Sequence, residues 1–186
     1  MSPKGDNMDF QQSRTYANLQ NAYERELVLS TLFSIYGDIA RQEGYRQIGN
    51  VFDTFQRNNK EHARIWLRRL NEGSLPNTQQ ALASATEAEY DTANQFYREY
   101  ARIANEEGYF EIESLFSGIA NIDSNHGLQL ETHLNNVLRN EVFCKDQPQL
   151  WICMQCGNIM SGLCAPLTCP VCGFPQGYYR LYDVGS

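Results

Sequence analysis

The hydrophobic residues between positions 12 and 140 recur with the three- and four-residue spacing of amphipathic helices. Gly44, Gly73 and Gly108 interrupt this pattern, and Pro76 follows the second of them. The pattern therefore predicts four helices, at about 12–43, 45–71, 79–107 and 109–140. Each predicted helix is longer than the helices of most globular domains, and such lengths are typical of helical bundles.

The two halves of the helical region are related by an internal repeat. The stretch IARQEGYRQIGNVF (39–52) matches IANEEGYFEIESLF (103–116), and residues 64 positions apart are identical at Ile39, Ala40, Glu43, Gly44, Tyr45, Ile48 and Phe52. Tyr36 likewise recurs as Tyr100. Because two copies are too few for a solenoid, we expect two copies of one helical hairpin that together form the bundle.

Two histidines occupy equivalent positions of this repeat, but the glutamates that precede them do not. Glu26 lies 36 residues before His62, whereas Glu89 lies 37 residues before His126. The second copy therefore contains one extra residue before the register is restored at Tyr97. A helix absorbs an inserted residue most easily as a π-bulge, and π-bulges are frequent at functional sites. We predict a π-bulge between Glu89 and Tyr97.

Composition and charge argue against several classes of function. The 186-residue chain has a net charge of −7, and its Lys and Arg residues are scattered, so a nucleic-acid partner is not expected. No apolar run approaches the roughly 20 residues that cross a bilayer, so a membrane is not expected as a partner either. The start of the chain, MSPKGDNMDF, has no apolar signal segment, and we expect a cytoplasmic protein.

All six cysteines lie between positions 144 and 172, and this clustering favours a metal site over a disulfide framework. Two C-x-x-C turns, CMQCG and CPVCG, are separated by 12 residues and contain Cys153, Cys156, Cys169 and Cys172. Four thiolates suit either iron or zinc, and a structural zinc knuckle is the alternative to a redox centre. Cys144 and Cys164 fall outside the pattern, and we expect each to be a small buried residue or a free thiol.

Some helical bundles bind two metal ions through a Glu from each of two helices and a Glu-x-x-His pair from each of the others. The pair works because residues three apart share one face of a helix. The four predicted helices offer, in order, Glu26, then Asn59 with His62, then Glu89, then Asp123 with His126. Two histidines at the repeat spacing, each with a Glu on another helix, favour a metal site. The alternative is a vestigial site whose side chains only pack.

Together these motifs resemble the rubrerythrin family. The similar features are EGY after the first helix, KEHA in the second, EEGY after the third, the histidine of the fourth, and Trp151 before the cysteine turns. The resemblance implies a mainly α fold: a ferritin-like four-helix bundle (1–143) with a di-iron site, followed by a rubredoxin-like domain (149–186) with a four-cysteine iron. It also implies reduction of hydrogen peroxide, with electrons passed from the cysteine-bound iron to the di-iron site.

The resemblance further implies roles for individual residues. Tyr97 corresponds to a tyrosine that supports a metal ligand, and Asn59 occupies the position of a bridging Glu. The residues that correspond to metal ligands with a part in catalysis are Glu26, His62, Glu89, Asp123 and His126. A homodimer and an electron donor, whose identity the sequence does not give, are implied as partners.

The chain departs from the family pattern at several of these positions. Asn59 replaces the bridging Glu, and Thr92 replaces a Glu that exchanges with histidine during turnover. Asp123 is one methylene shorter than the usual Glu, and Phe33 replaces a tyrosine near the site. Two ferrous ions would bring four positive charges against three carboxylates, and a buried charge imbalance is costly. We therefore expect a weakened di-metal site, a single-metal site or an empty one.

Three functions are consistent with the sequence. The first is a rubrerythrin-like oxidoreductase that reduces peroxide. The second is a non-catalytic metal-binding or electron-transfer protein with a vestigial or single-metal bundle site. The third is a structural protein with zinc in the cysteine ribbon, and the identity of that metal separates it from the others because zinc has no redox chemistry.

Overall fold

A computed structural model describes residues 9–183 of the chain. These residues belong to two compact units, which divide between Pro76 and Asn77. The first eight residues, which make up most of the polar start that predicts a cytoplasmic protein, lie outside the described residues. Among residues 9–183, no helix combines the length and the apolar character needed to span a membrane.

The first unit is a hairpin of two long helices, α1 (Arg14–Gln42) and α2 (Arg46–Leu70). Ser13 caps the start of α1, because its hydroxyl accepts a hydrogen bond from the Tyr16 N–H at 3.1 Å. The two helices approach each other closely through small residues. A Cβ atom added at Gly49 would lie only 3.2 Å from the carbonyl oxygen of Gly37.

The second unit begins with a second helical hairpin. Asn77 and Gln80 form a capping box at its start, with 2.9 Å hydrogen bonds in both directions. Its first arm is interrupted by a π-helical segment, and the hairpin contains, in order, α3 (Thr78–Asp91), the π segment (Thr92–Tyr97), α4 (Arg98–Glu106) and α5 (Phe110–Leu138).

The same turn joins the helices of both hairpins. Gly44 and Gly108 adopt left-handed φ values of 88° and 83°, which a residue without a Cβ atom tolerates best. The N–H of Tyr45 donates a 2.8 Å hydrogen bond to the Ala40 carbonyl, and the equivalent bond of the second hairpin has the same length. The sequence repeat is therefore also a repeat of backbone structure.

The second unit ends in a cysteine ribbon, an antiparallel sheet of strand order β2–β1–β3 formed by β1 (Cys144–Cys153), β2 (Ile159–Cys164) and β3 (Tyr179–Leu181). The indole N–H of Trp151 donates a hydrogen bond to the Gly162 carbonyl at 3.1 Å. The ribbon core consists of side chains that are at most 3% exposed: Trp151, Cys153, Ala165, Cys169 and Tyr179. Two of them are predicted metal ligands, so the metal site belongs to the core of this small domain.

Long helical hairpins followed by a four-cysteine strand region confirm the predicted fold class, which is mainly α with a ferritin-like helical region and a rubredoxin-like ribbon. The hydrophobic pattern predicts the third helix as one segment, 79–107, whereas the structure divides it at the π segment. The domain limits 1–143 and 149–186 stay predictions.

The prediction for Cys144 and Cys164 is wrong, because these residues form a disulfide. They face each other at the end of the β1–β2 hairpin that is far from its turn, with Cα atoms 4.0 Å apart. Two cysteines 20 positions apart do not by themselves indicate a disulfide. The strand register brings them together, and that register is visible only once the hairpin is built.

Candidate metal centres

The first hairpin brings one carboxylate and one imidazole together. Glu26 lies on α1 and His62 on α2, and the histidine Nδ1 is 3.3 Å from a carboxylate oxygen. The Glu26 side chain is 24% exposed and that of His62 is 53% exposed, so solvent or a cation has access to the pair. Asn59 lies one turn before His62 on α2 and is partly buried. We call Glu26 and His62 the first half-site.

The second hairpin assembles a larger donor group. Ligand atoms of Glu89 on α3 and of Asp123 and His126 on α5 all lie within 4.8 Å of one another. The His126 Nδ1 is 3.7 Å from a Glu89 oxygen and 3.9 Å from an Asp123 oxygen. Carboxylate and imidazole donors at such distances form a chelating set for a divalent transition metal. We call these three residues the second half-site.

The predicted π-bulge is confirmed by the π segment at Thr92–Tyr97. It begins three residues after Glu89, and Ala93 within it is fully buried. Because the inserted residue is absorbed here, Glu89 keeps its place opposite α5 while Tyr97 returns to the register of the first hairpin. Thr92, which occupies the position where the resemblance implies a further Glu, is the first residue of the π segment.

Repeat-related aromatic side chains pack in the same way in the two hairpins. The rings of Tyr36 and Phe52 lie 5.8 Å apart at 64°, and those of Tyr100 and Phe116 lie 5.5 Å apart at 61°. Tyr97 packs 5.8 Å from Phe116 by ring centroids. The role of Tyr97 in supporting a metal ligand stays a prediction.

A large side chain beside the second half-site is accommodated by a glycine. A Cβ atom at Gly127 would lie 2.6 Å from the ring of Tyr90, so the ring of Tyr90 rests directly against the backbone of α5. The Tyr90 hydroxyl donates a 2.9 Å hydrogen bond to Glu131, which raises the pKa of Tyr90. Because Tyr90 follows Glu89 and Gly127 follows His126, this contact sets the separation of the helices that carry the ligands.

The first hairpin has a smaller residue in place of the tyrosine and a larger one in place of the glycine. Leu27 follows Glu26, and Ala63 follows His62, where the second hairpin has Tyr90 and Gly127. Leu27 and Ala63 line one cavity, and Ala63 is 2% exposed. A smaller side chain on one helix is thus matched by a larger one on the other.

The four ribbon cysteines form a closed thiolate cluster. All four Sγ atoms lie within 4.8 Å of one another, and the Cys153–Cys172 and Cys156–Cys169 pairs are each 3.7 Å apart. A tetrahedral ion with metal–sulfur bonds of about 2.3 Å requires sulfur–sulfur distances of about 3.8 Å. The geometry therefore fits one tetrahedral ion and is too long for two disulfides.

The ribbon thiols differ in acidity when no metal is bound. The pKa of Cys169 is lowered to about 6, and the largest cause is the interaction of its sulfur with the Tyr179 hydroxyl. That hydroxyl is buried and makes no hydrogen bond of good geometry among the described residues. The Phe174 N–H lowers the pKa of Cys172, but burial and the neighbouring thiols outweigh it and raise the pKa to about 12. Cys169 is therefore the thiol that ionises first of the two.

The structure gathers the predicted bundle residues into the two half-sites and the cysteines into the ribbon. Convergence of the two half-sites stays a prediction, as do the roles of the individual ligands. Sequence reasoning missed the Tyr90–Gly127 contact and the Cys144–Cys164 disulfide. The first had a signal, since aligning the two repeats shows the paired exchange of sizes, whereas the second had none.

Acid–histidine groups on long helices, together with a four-thiolate ribbon, are the donor sets typical of non-haem metalloproteins. Residues 17–134 match the Rubrerythrin family, and residues 151–180 match the family described as Rubrerythrin, rubredoxin-like domain. The chain therefore belongs to the rubrerythrin family. This membership supports an oxidoreductase function of the di-iron, peroxidase type.

Several relatives are similar over nearly their full length. The chain is 32% identical to Rubrerythrin of Clostridium perfringens, with 91% of this chain and 95% of the relative covered. It is 30% identical to Rubrerythrin-1 of Clostridium acetobutylicum, with 91% and 94% covered. Among solved structures, fully reduced, all-ferrous nigerythrin is similar at 21% identity with a TM-score of 0.35, and 98% of each chain is covered.

Substitution of Gly127 by alanine should disturb the second half-site. The new Cβ would displace the Tyr90 ring, so we expect a loss of about 1–3 kcal/mol in the free energy of unfolding, partly offset by the higher helix propensity of alanine, about 1 kcal/mol. Chemical denaturation measures the change. The double variant Gly127→Ala, Tyr90→Leu copies the first hairpin and should recover most of the loss. A double variant as unstable as the single one would contradict the size-matching explanation.

Metal uptake by the ribbon should release protons. At neutral pH Cys169, with a pKa of about 6, is largely ionised, whereas Cys172, with a pKa of about 12, keeps its proton. Because a bound ion requires thiolates, loading the metal-free full chain must displace that proton, and the metal affinity should weaken as the pH falls. A weakly buffered indicator titration measures the release. Uptake without proton release, or an affinity independent of pH, would contradict the assignment.

Proposed function

We propose that the chain is a rubrerythrin-like oxidoreductase that reduces hydrogen peroxide at a metal site of its helical region. The observation that carries this proposal is the donor group of Glu89, Asp123 and His126, whose ligand atoms lie within 4.8 Å of one another on two helices of a rubrerythrin-family chain. The four-thiolate ribbon supports a redox function, because four thiolates are also the ligands of one-iron electron-transfer centres.

The donor chemistry fits iron, although more weakly than the family pattern. Glu26, Glu89 and Asp123 supply three negative charges, and two imidazoles supply neutral nitrogen donors. Asn59 could contribute only a neutral amide oxygen where a bridging carboxylate would stand. Two ferrous ions would therefore carry one positive charge more than these ligands neutralise, so the second ion should be held less tightly than the first.

Each side chain has a defined part in this proposal. Bound iron would supply the electrons for cleavage of the peroxide O–O bond. The chain itself supplies the ligands, fixes the helix that carries Glu89 through the π segment, and leaves His62 and His126 about half exposed so that a small oxidant has access. Tyr97, on the π segment, is proposed to support a ligand.

A second candidate function is favoured by Asn59 and Thr92. Because these two positions lack carboxylates, the helical region would hold a single metal ion or none, and the chain would act as an electron carrier through the ribbon. The two candidates differ in one property: only the oxidoreductase consumes peroxide faster with the half-sites intact than without them.

We also propose that the protein is a cytoplasmic homodimer that receives electrons from a separate donor. Large apolar side chains on the helices support self-association, since Val28 on α1 is 59% exposed and Leu128 on α5 is 57% exposed. Sedimentation of the full chain tests the dimer, and a single monomeric species at micromolar concentration would overturn this part of the proposal.

Reduced, iron-loaded protein should consume hydrogen peroxide. The variant Glu89→Gln, His126→Ala removes two donors of the second half-site and should lower the rate by at least about tenfold, because a ligand set of this kind loses its metal when donors are removed. Stopped-flow oxidation of the ferrous protein measures the rate. The matched control is Glu87→Gln, a substitution at an exposed position of the same helix, α3. Equal rates in all three proteins would favour the electron carrier.

Restoring a carboxylate at the bridging position should strengthen the bundle site. The variant Asn59→Glu adds the fourth negative charge, so iron per chain should rise, measured by anaerobic loading followed by elemental analysis. Asn58→Glu adds the same charge on the adjacent, exposed position of α2 and is the control. If both variants bind as much iron as the parent, the charge argument is wrong.

A further inference from the structure

The Cys144–Cys164 disulfide lies outside the metal cluster and has no part in the proposed function. It joins the first residue of β1 to the last residue of β2. Cys164 is exposed and Cys144 is partly exposed, so the bond is accessible to solvent. Accessible disulfides are more often labile or regulatory than buried ones, because a thiolate or a small oxidant can approach the sulfur atoms.

The disulfide bridges a gap in the strand pairing. The β1–β2 register is irregular between Cys144 and Gln149, and Pro148 in that interval has no N–H to donate to a partner strand. Near the disulfide, the Ala165 N–H donates a 2.8 Å hydrogen bond to the Phe143 carbonyl. The segment 144–148, which leads from α5 into the ribbon, is therefore tied to β2 mainly at its first residue, and a 3.1 Å hydrogen bond from the Lys145 ammonium to the Asn136 side-chain oxygen ties it to α5.

We propose that Cys144 and Cys164 form a reversible dithiol–disulfide pair that is oxidised by peroxide and fixes or releases the segment that links α5 to the ribbon. In the oxidised state the bond ties the start of β1 to the end of β2. In the dithiol state the strands stay paired from Gln149 onward, whereas the segment 144–148 loses its covalent cross-link to the end of β2.

The chemistry balances with peroxide as oxidant and a dithiol as reductant. A thiolate attacks one peroxide oxygen and the O–O bond breaks, which gives a sulfenic acid and, after proton transfer, water. The second thiol then attacks that sulfur, and a second water leaves as the disulfide forms. A dithiol reductant restores two thiols by exchange and becomes a disulfide itself. Because Cys164 is the more exposed, it is the thiol that meets peroxide first.

The test uses the full chain loaded with zinc, because zinc has no redox chemistry and any peroxide response is then independent of the proposed function. The protein is treated with dithiothreitol, desalted, exposed to one equivalent of hydrogen peroxide, quenched with catalase and alkylated. Peptide mass spectrometry should show the pair alkylated before peroxide, and linked with the loss of two hydrogens afterwards. Cys153, Cys156, Cys169 and Cys172 should keep their zinc throughout.

Two single variants identify the attacking thiol. In Cys144→Ser, dimedone should trap a sulfenic acid at Cys164, whereas Cys164→Ser should give much less adduct at Cys144. A pair that resists dithiothreitol in the folded protein, or one that peroxide does not re-link, would overturn the inference. Equal trapping in both variants would overturn the assignment of Cys164 as the first thiol.

Hydrogen exchange tests the structural consequence. Amides of residues 144–147 should exchange at least about tenfold faster in the reduced protein than in the oxidised one, because the disulfide no longer limits local opening of this segment. The double variant Cys144→Ser, Cys164→Ser should show the fast rate under both conditions. Exchange over 144–147 that does not depend on the redox state would show that the bond does not control this segment.

Discussion

Mutual repulsion of the carboxylates at the second half-site is the interaction on which the account depends. Glu89 and Asp123 present oxygens within 4.8 Å of each other, with His126 beside both. Two carboxylates so close together repel each other, and a cation placed between them would remove the repulsion. A divalent metal would also take the imidazole as a further ligand, so the helices α3 and α5 are placed to form a cation site.

The two helical hairpins are copies of one repeat that share their turns and aromatic contacts but differ around the metal-ligand positions. Their turns are the same, with Gly44 and Gly108 in the left-handed region, and their aromatic clusters correspond ring by ring. The second copy differs by one inserted residue, which becomes the π segment, and by Tyr90 against Gly127 where the first has Leu27 and Ala63. The second half-site has three donors and the first has two, because Asp123 of α5 corresponds in the repeat to Asn59 of α2.

Much of this structure follows from the sequence, for identifiable reasons. The helices, the repeat and the π-bulge were predictable because they are encoded in spacing, and the spacing of C-x-x-C turns gives the thiolate cluster directly. The Tyr90–Gly127 contact depends on how two helices face each other, and the Cys144–Cys164 bond depends on strand register. Neither can be obtained from local pattern alone, since both join residues that are distant along the chain.

The most direct test of the cation site is anomalous diffraction at the iron edge from crystals of the iron-loaded full chain. The account predicts one anomalous peak among the sulfur atoms of the ribbon and another between Glu89, Asp123 and His126. A peak at the ribbon alone, with those three side chains bonded only to each other or to solvent, would contradict it.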